Sequence, residues 1–105
     1  MLNVNNLSRQ YIIIILNPYH VFPNVRESEF QNLKGILKER YRLNNKPIQP
    51  GTKEALEVDT PNGKITITYY KKGKLMVQSS PSNPEYELLV NDIIEYFSNL
   101  VENHS

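Results

Sequence analysis

Residues 64–78 alternate apolar and polar side chains on both sides of a glycine turn, and this pattern most restricts what the chain can fold into. Because successive side chains of a β-strand point to opposite faces, Lys64–Tyr70 places two isoleucines and a tyrosine on one face. Two threonines and a second tyrosine lie on the other face. A tight turn at Lys72-Gly73 then leads into a second strand that continues both faces. The segment is predicted to be a β-hairpin with one buried and one wet face.

The wet face of this hairpin, together with the lysines of its turn, is a candidate binding surface. Its hydroxyl, amide and ammonium groups suit contacts to phosphate and sugar, and its tyrosine and methionine can pack on a base or ribose. The alternative is that the threonines and tyrosine are ordinary strand formers and that the lysines protect a sheet edge from aggregation. The candidate nucleic-acid-binding residues are Thr66, Thr68, Tyr70, Lys71, Lys72, Lys74, Met76 and Gln78.

The first part of the chain predicts a strand followed by a helix. An uninterrupted apolar run predicts a strand over Gln10–Asn17 that is covered on both faces. Two prolines then mark a loop that contains residues 19–22. Capping signals predict that a helix begins at Asn24 or Ser28. Its apolar stripe is Phe30, Leu33, Ile36, Leu37 and Tyr41, and the helix is predicted to end at residues 44–47.

The second part of the chain predicts three further strands, the two of the hairpin included, and a closing helix. Glu54–Asp59 is predicted to be a strand that turns at residues 61–63 into the hairpin, which makes a three-stranded meander. Asn83 is expected to cap the second helix, with Pro84 at its first position. Apolar residues then recur every three to four positions as far as Val101.

The element order is therefore β-α-β-β-β-α, which predicts an α+β fold with two helices packed on one face of an antiparallel-rich sheet. A ferredoxin-like arrangement is the alternative. The length of 105 residues suits one domain over residues 1–105, of which residues 1–9 are expected to be flexible.

The hairpin also resembles a motif of a known family. Tyr70, Gly73, Lys74, Leu75 and Gln78 form the pattern Tyr-x-x-Gly-Lys-Leu-x-x-Gln. This pattern is similar to the TATA-binding-protein-like domain at the N-terminus of bacterial ribonuclease HIII, and to domains of RNase LS-type toxins. The resemblance covers about half of the chain, from residue 56 to residue 100, and the family's usual glycine after the glutamine is a serine here. It implies a TATA-binding-protein-like fold and a module that grips an RNA/DNA hybrid apart from a catalytic domain.

Composition limits the functions that are open to the chain. Twelve lysines and arginines against eleven acidic residues give a net charge of +1, which by itself argues against strong nonspecific nucleic-acid binding. However, residues 81–105 carry five acidic residues and no basic one. If the helix there packs on one side of the sheet, the other side is left relatively positive, as polyanion binding requires. Alternatively, the charges only keep their segments soluble.

Residue types that carry catalysis are sparse. The chain has no cysteine, its histidines are His20 and His104, and no phosphate-binding glycine loop, paired carboxylates or nucleophile motif is present. We therefore expect no enzymatic activity, no metal and no cofactor. Tyr11–Leu16 is too short to span a bilayer, and Met1–Arg9 lacks the apolar core of a signal peptide. A cytoplasmic protein without membrane contact is expected.

Taken together, the sequence predicts a non-catalytic module that grips an RNA-containing duplex or hybrid on its exposed sheet face through backbone and shape contacts. The alternative is a protein–protein interaction or dimerisation module of a larger nuclease or a toxin–antitoxin defence assembly. The apolar first strand and the aromatic residues between 19 and 22 favour that alternative.

Overall fold

The computed structural model describes residues 19–80 and 82–104, which form a five-stranded antiparallel sheet and two helices. The strands lie in the order β1-β5-β4-β3-β2. This arrangement confirms the α+β class with an antiparallel sheet. The elements are β1 (Tyr19–Phe22), α1 (Glu27–Arg40), β2 (Arg42–Asn45), β3 (Thr52–Thr60), β4 (Gly63–Tyr70), β5 (Leu75–Gln78) and α2 (Pro84–His104).

The hydrophobic core lies between one face of the sheet and both helices. Alternate residues of the three central strands point into it, as the period of two dictates. The stripes of the two helices cover them in a single cluster, so within residues 19–80 and 82–104 no helix lies on the opposite face of the sheet, the outer face. The buried strand residues are Leu56, Val58, Ile65, Ile67, Tyr69, Leu75 and Val77, and the buried helix residues are Phe30, Leu33, Leu37, Tyr86, Leu89, Val90 and Ile93.

The loop predicted after residue 17 was wrong, because Tyr19–Phe22 is strand β1 and pairs antiparallel with β5. Its inward-pointing Phe22 packs on the core, with its ring 5.4 Å from that of Phe97. The two prolines that indicated a loop therefore flank a short edge strand. The strand predicted over Gln10–Asn17 and the flexible segment predicted over residues 1–9 lie outside the described residues.

Helix α1 begins between the two predicted starts and ends earlier than predicted. It begins after Arg26, whose backbone N–H donates to Glu29 Oε1 at 2.8 Å, so neither Asn24 nor Ser28 is the cap. It ends at Arg40, because Tyr41 has an extended backbone. Asn44 and Asn45, two of the four residues predicted to end the helix, belong instead to β2, so the sheet has one more strand than predicted in this part of the chain.

The β4–β5 hairpin is confirmed, but its turn is one residue longer than the predicted Lys72-Gly73 pair. The Gly73 N–H donates to the Tyr70 carbonyl at 2.9 Å, and the Tyr70 N–H donates to the Lys74 carbonyl at 2.8 Å. The turn is fastened to the chain before α1, because the Val25 N–H donates to the Gly73 carbonyl at 2.7 Å. The buried Tyr69 hydroxyl donates to the Val25 carbonyl at 2.6 Å.

The predicted start of α2 is confirmed. The Glu85 N–H donates to Asn83 Oδ1 at 3.0 Å, which satisfies one of the free N–H groups at the helix N-terminus. Asn83 Nδ2 donates to Thr60 Oγ1 at 3.0 Å, so the cap also ties the helix to the β3–β4 turn. These two hydrogen bonds of Asn83 fix where the closing helix begins relative to the sheet.

Candidate functional site

The strand register sorts the side chains of the outer face into four rows that run across the strands. Residues opposite each other in neighbouring strands lie about 5 Å apart, so each row is a set of neighbours. The row at the β4–β5 turn holds Thr52, Tyr70 and Lys74; the next holds Ala55, Thr68, Met76 and Val21; the third holds Asn44, Glu57, Thr66, Gln78 and Tyr19; the last holds Arg42, Asp59 and Lys64.

Six of the eight predicted site residues, the five of strands β4 and β5 together with Lys74 of the turn, lie in the first three of these rows. Thr66 is opposite Gln78, and Thr68 is opposite Met76. Tyr70 follows at the end of β4. The threonines, the tyrosine and the methionine are partly exposed, and the glutamine is exposed. The alternation read from the sequence therefore places these side chains on the face that the helices leave uncovered.

The outer face carries a concavity of about 420 Å³, the sheet groove, which the loop between β2 and β3 bounds on one side. Four predicted residues, Thr66, Thr68, Tyr70 and Gln78, line it. Met76 lies beside Thr68 in the register but is not in the lining. The full lining is Lys46, Pro47, Gln49, Pro50, Thr52, Ala55, Thr66, Thr68, Tyr70 and Gln78.

Sequence reasoning missed the contribution of the β2–β3 loop to the groove. Lys46 Nζ approaches Thr66 Oγ1 at 3.4 Å, which brings an ammonium group over the outer face of β4. Gln49 and Thr52 add an amide and a hydroxyl to the lining. The pairing of β2 with β3 is what places this loop beside the groove.

A second concavity of about 480 Å³, the hairpin cavity, adjoins the groove and shares Tyr70 with it. Gly51 and the three predicted lysines, Lys71, Lys72 and Lys74, complete its lining. Lys74 Nζ lies 4.6 Å from the centre of the Tyr70 ring, a cation–π contact that holds this ammonium group at the border between the two concavities. The Lys71 N–H donates to the Gly51 carbonyl at 3.0 Å, which joins the two walls of the cavity.

Charge is unevenly distributed along the outer face. Within the described part of the chain, the three lysines of the hairpin cavity take part in no ion pair, so their charges face solvent. At the far end of the groove, Glu57 pairs with Lys46 at 3.9 Å and with Lys64 at 3.3 Å. Asp59 in the last row accepts a hydrogen bond from Asn44 at 2.9 Å. The hairpin end is therefore strongly positive, whereas the far end carries both signs.

Raised tyrosine pKa values belong to the helix side of the sheet. Burial and a 2.8 Å hydrogen bond to Asp92 raise the pKa of Tyr41 to about 12. Burial also raises the pKa values of Tyr86 and Tyr96. Each of these hydroxyls packs between elements of the core layer, so the shifts report packing and stability.

The described residues contain neither a cluster that could hold a metal ion nor a helix that could span a membrane. Residues 19–80 and 82–104 contain no group of three or more histidine, aspartate or glutamate side chains placed to hold a metal ion. In the same ranges, no helix is long and apolar enough to cross a membrane. His20 of β1 contacts the ring of Phe22 at 4.7 Å between ring centres, within the part of the sheet that faces the helices.

No protein-family model matches this chain, and no curated protein or solved structure is similar to it at a significant level. The function therefore has to be inferred from the residues of the site.

Proposed function

We propose that this chain is a non-catalytic nucleic-acid-binding module that holds an RNA-containing duplex or an RNA/DNA hybrid against the outer face of its sheet. The observation that carries this proposal is that a groove lined with hydroxyl and amide groups runs directly into a cavity ringed by three lysines. Lysines supply attraction to phosphate that does not depend on sequence, and hydroxyl and amide groups bind sugar and phosphate oxygens. Such a face recognises the backbone and the shape of a duplex and makes no base-specific contact.

The architecture supports the same proposal. The described elements run β-α-β-β-β-β-α, with both helices on one face, which agrees with the TATA-binding-protein-like fold that the hairpin motif implies. The second helix follows the last strand, whereas a ferredoxin-like order would place it between strands. A fold of this class hosts many functions, so the binding residues carry the argument and the fold adds only a suitable platform.

Two exposed lysines of the hairpin cavity provide the test. We expect the wild-type protein to bind labelled RNA/DNA hybrid and double-stranded RNA with an affinity that falls steeply as salt rises, because binding releases counterions from phosphate. Replacing Lys72→Glu together with Lys74→Glu should abolish this binding at moderate salt and reduce the slope of log K against log salt by about 2. Double-stranded DNA and single strands, titrated alongside, show which helix geometry the face accepts.

A matched control separates the site from overall charge. Lys38 is an exposed lysine on α1, on the helix side of the sheet. Lys38→Glu changes the net charge as much as Lys72→Glu does, and we expect it to alter affinity less than twofold. Absence of binding by the folded wild-type protein at low salt, or equal losses for Lys38→Glu and Lys72→Glu, would refute the proposal.

A second candidate is a protein-interaction or dimerisation module, for example within a larger nuclease or a toxin–antitoxin assembly. The observation in its favour is that large apolar side chains stand exposed at the rim of the outer face. Ile48 of the β2–β3 loop is 57% exposed, and Tyr19 of the edge strand β1 is 48% exposed. Such an interface would survive the Lys72/Lys74 charge reversal, and sedimentation of both proteins measures whether self-association persists in the variant.

A further inference from the structure

A carboxylate beside a surface that binds phosphate opposes binding, and Glu57 is placed in this way at the far end of the sheet groove. It occupies the third row of the outer face, directly opposite Thr66, a residue that lines the sheet groove. Thr66 in turn lies opposite Gln78, so a carboxylate, a hydroxyl and an amide stand side by side across β3, β4 and β5. This row can accept and donate hydrogen bonds along its whole length.

Glu57 also engages the two lysines nearest to it. Its Oε2 lies 3.9 Å from Lys46 Nζ, and its Oε1 lies 3.3 Å from Lys64 Nζ. Glu57 therefore already neutralises part of the charge that Lys46 presents to a phosphate. In this part of the groove a bare phosphate therefore meets a competing carboxylate, whereas at the hairpin cavity it meets lysines without carboxylate partners among the described residues.

The same carboxylate still has capacity to accept hydrogen bonds. A charge-assisted hydrogen bond from an ammonium group to a carboxylate is about 2.7–2.9 Å long, and both lysine contacts of Glu57 are longer than this. A carboxylate offers about four acceptor positions. Glu57 does not line the groove itself, but its side chain is 21% exposed and it lies opposite the lining residue Thr66, so a ligand that extends past Thr66 can reach it. A group with a hydroxyl donor gains a hydrogen bond there.

The ribose 2′-hydroxyl is such a donor, and deoxyribose lacks it. Building on the nucleic-acid-binding function proposed above, we propose that Glu57 makes the groove select strands that contain ribose over strands that contain only deoxyribose. The phosphates of both strands bind the lysines of the hairpin cavity. Only the ribose strand also donates to Glu57 and so offsets the repulsion between that carboxylate and the phosphates.

The test compares Glu57→Gln with the wild-type protein on an RNA/DNA hybrid and on a DNA duplex of the same sequence and length. Glutamine keeps the shape of the side chain, removes its charge and frees Lys46 and Lys64. We expect the variant to bind the DNA duplex more tightly, with a steeper salt dependence. We expect its preference for the hybrid to fall about tenfold, because the neutral amide oxygen of glutamine accepts a weaker hydrogen bond from the ribose hydroxyl than a carboxylate does. Glu95→Gln, at an exposed position of α2, makes the same change of charge on the helix side and should leave the preference unchanged.

The outcomes separate the two proposals. Loss of preference in Glu57→Gln, with preference retained in Glu95→Gln, supports selection by Glu57. If Glu57→Gln strengthens binding of both duplexes by the same factor, or if the wild-type protein has no preference, selection by Glu57 is wrong while nucleic-acid binding stands. If the folded wild-type protein binds neither duplex at low salt, both proposals are wrong. Equal unfolding midpoints of the three proteins in urea show that the comparison is between folded proteins.

Discussion

Replacing Gly73 with alanine should destabilise the protein more than the same change at Gly51. Both glycines have left-handed backbones, with φ angles of +96° and +87°. This conformation costs a residue with a Cβ about 1–2 kcal/mol. The two positions differ in their surroundings, because a Cβ on Gly51 would have no atom within 4 Å, whereas a Cβ on Gly73 would lie 3.3 Å from the Val25 carbonyl oxygen.

The loss of unfolding free energy expected for Gly73→Ala follows from the two hydrogen bonds that the Val25 backbone makes. Its carbonyl is backbone and cannot rotate away, so residue 25 has to shift. That shift lengthens the 2.7 Å bond from the Val25 N–H to the Gly73 carbonyl and the 2.6 Å bond from the Tyr69 hydroxyl. Hydrogen bonds of this kind contribute about 0.5–1.5 kcal/mol each. We therefore expect Gly73→Ala to lose about 2–3 kcal/mol of unfolding free energy and Gly51→Ala to lose about 1 kcal/mol.

Urea unfolding followed by circular dichroism measures the difference. Since a domain of this size has about 5–15 kcal/mol of stability, both variants should fold, and their midpoints should fall at unchanged slope. A thermal melt should show a drop of about 4–8 °C for each kcal/mol. Equal losses at the two glycines would show that the Gly73 turn does not pack tightly against Val25.

Two further predictions concern tyrosine hydroxyls of the core layer. Tyr69→Phe keeps the stacked ring but leaves the buried Val25 carbonyl without its donor, so urea titration should show a loss of about 1–3 kcal/mol; a change below the error of the titration would contradict this role. Because the pKa of Tyr41 is raised to about 12, above the value of about 10 expected for the unfolded chain, its contribution to stability is complete below about pH 10 and is lost as the pH rises towards 12. Tyr41→Phe should therefore make the fall of the urea midpoint over this pH range shallower, and an unchanged fall would show that burial and the Asp92 bond do not hold the proton.

Much of the fold could be predicted because local signals and tertiary structure agree there. The period of two in β4 and β5, and the capping asparagine of α2, are properties of a few neighbouring residues, and the structure keeps them. The predictions failed where the tertiary structure overrides the local signal. Tyr19–Phe22 reads as a proline-bounded loop, yet it pairs with β5 some 55 residues away. Residues 42–45 read as the end of a helix, yet Leu43 packs against the core and makes them a strand.

In the candidate site, too, the positions set by local alternation could be predicted and those set by strand register could not. The side chains of β4 and β5 could be assigned to one face from alternation alone. The position of Lys46 beside Thr66 depends on the register between β2 and β3, and the sequence contains no local signal for that register. The opposition of Glu57 and Thr66 is likewise a property of the sheet. Which charges become neighbours on a surface that several strands build therefore depends on the strand register, which the sequence alone does not predict.

The near-neutral total charge of the chain is compatible with a polyanion-binding face, because salt screens the interaction between a bound phosphate and charges that lie far from it. Carboxylates of α2 have partners on the helix side, where Asp92 contacts Tyr41 and Arg40, and Glu85 accepts from Asn62. Packed layers lie about 10 Å apart, and the Debye length at physiological salt is about 8 Å. A phosphate at the hairpin cavity therefore interacts mainly with the lysines around it, and the negative charge of α2 is largely screened. It follows that removing a carboxylate from α2 should change binding much less than removing Glu57, although the two changes alter the net charge equally.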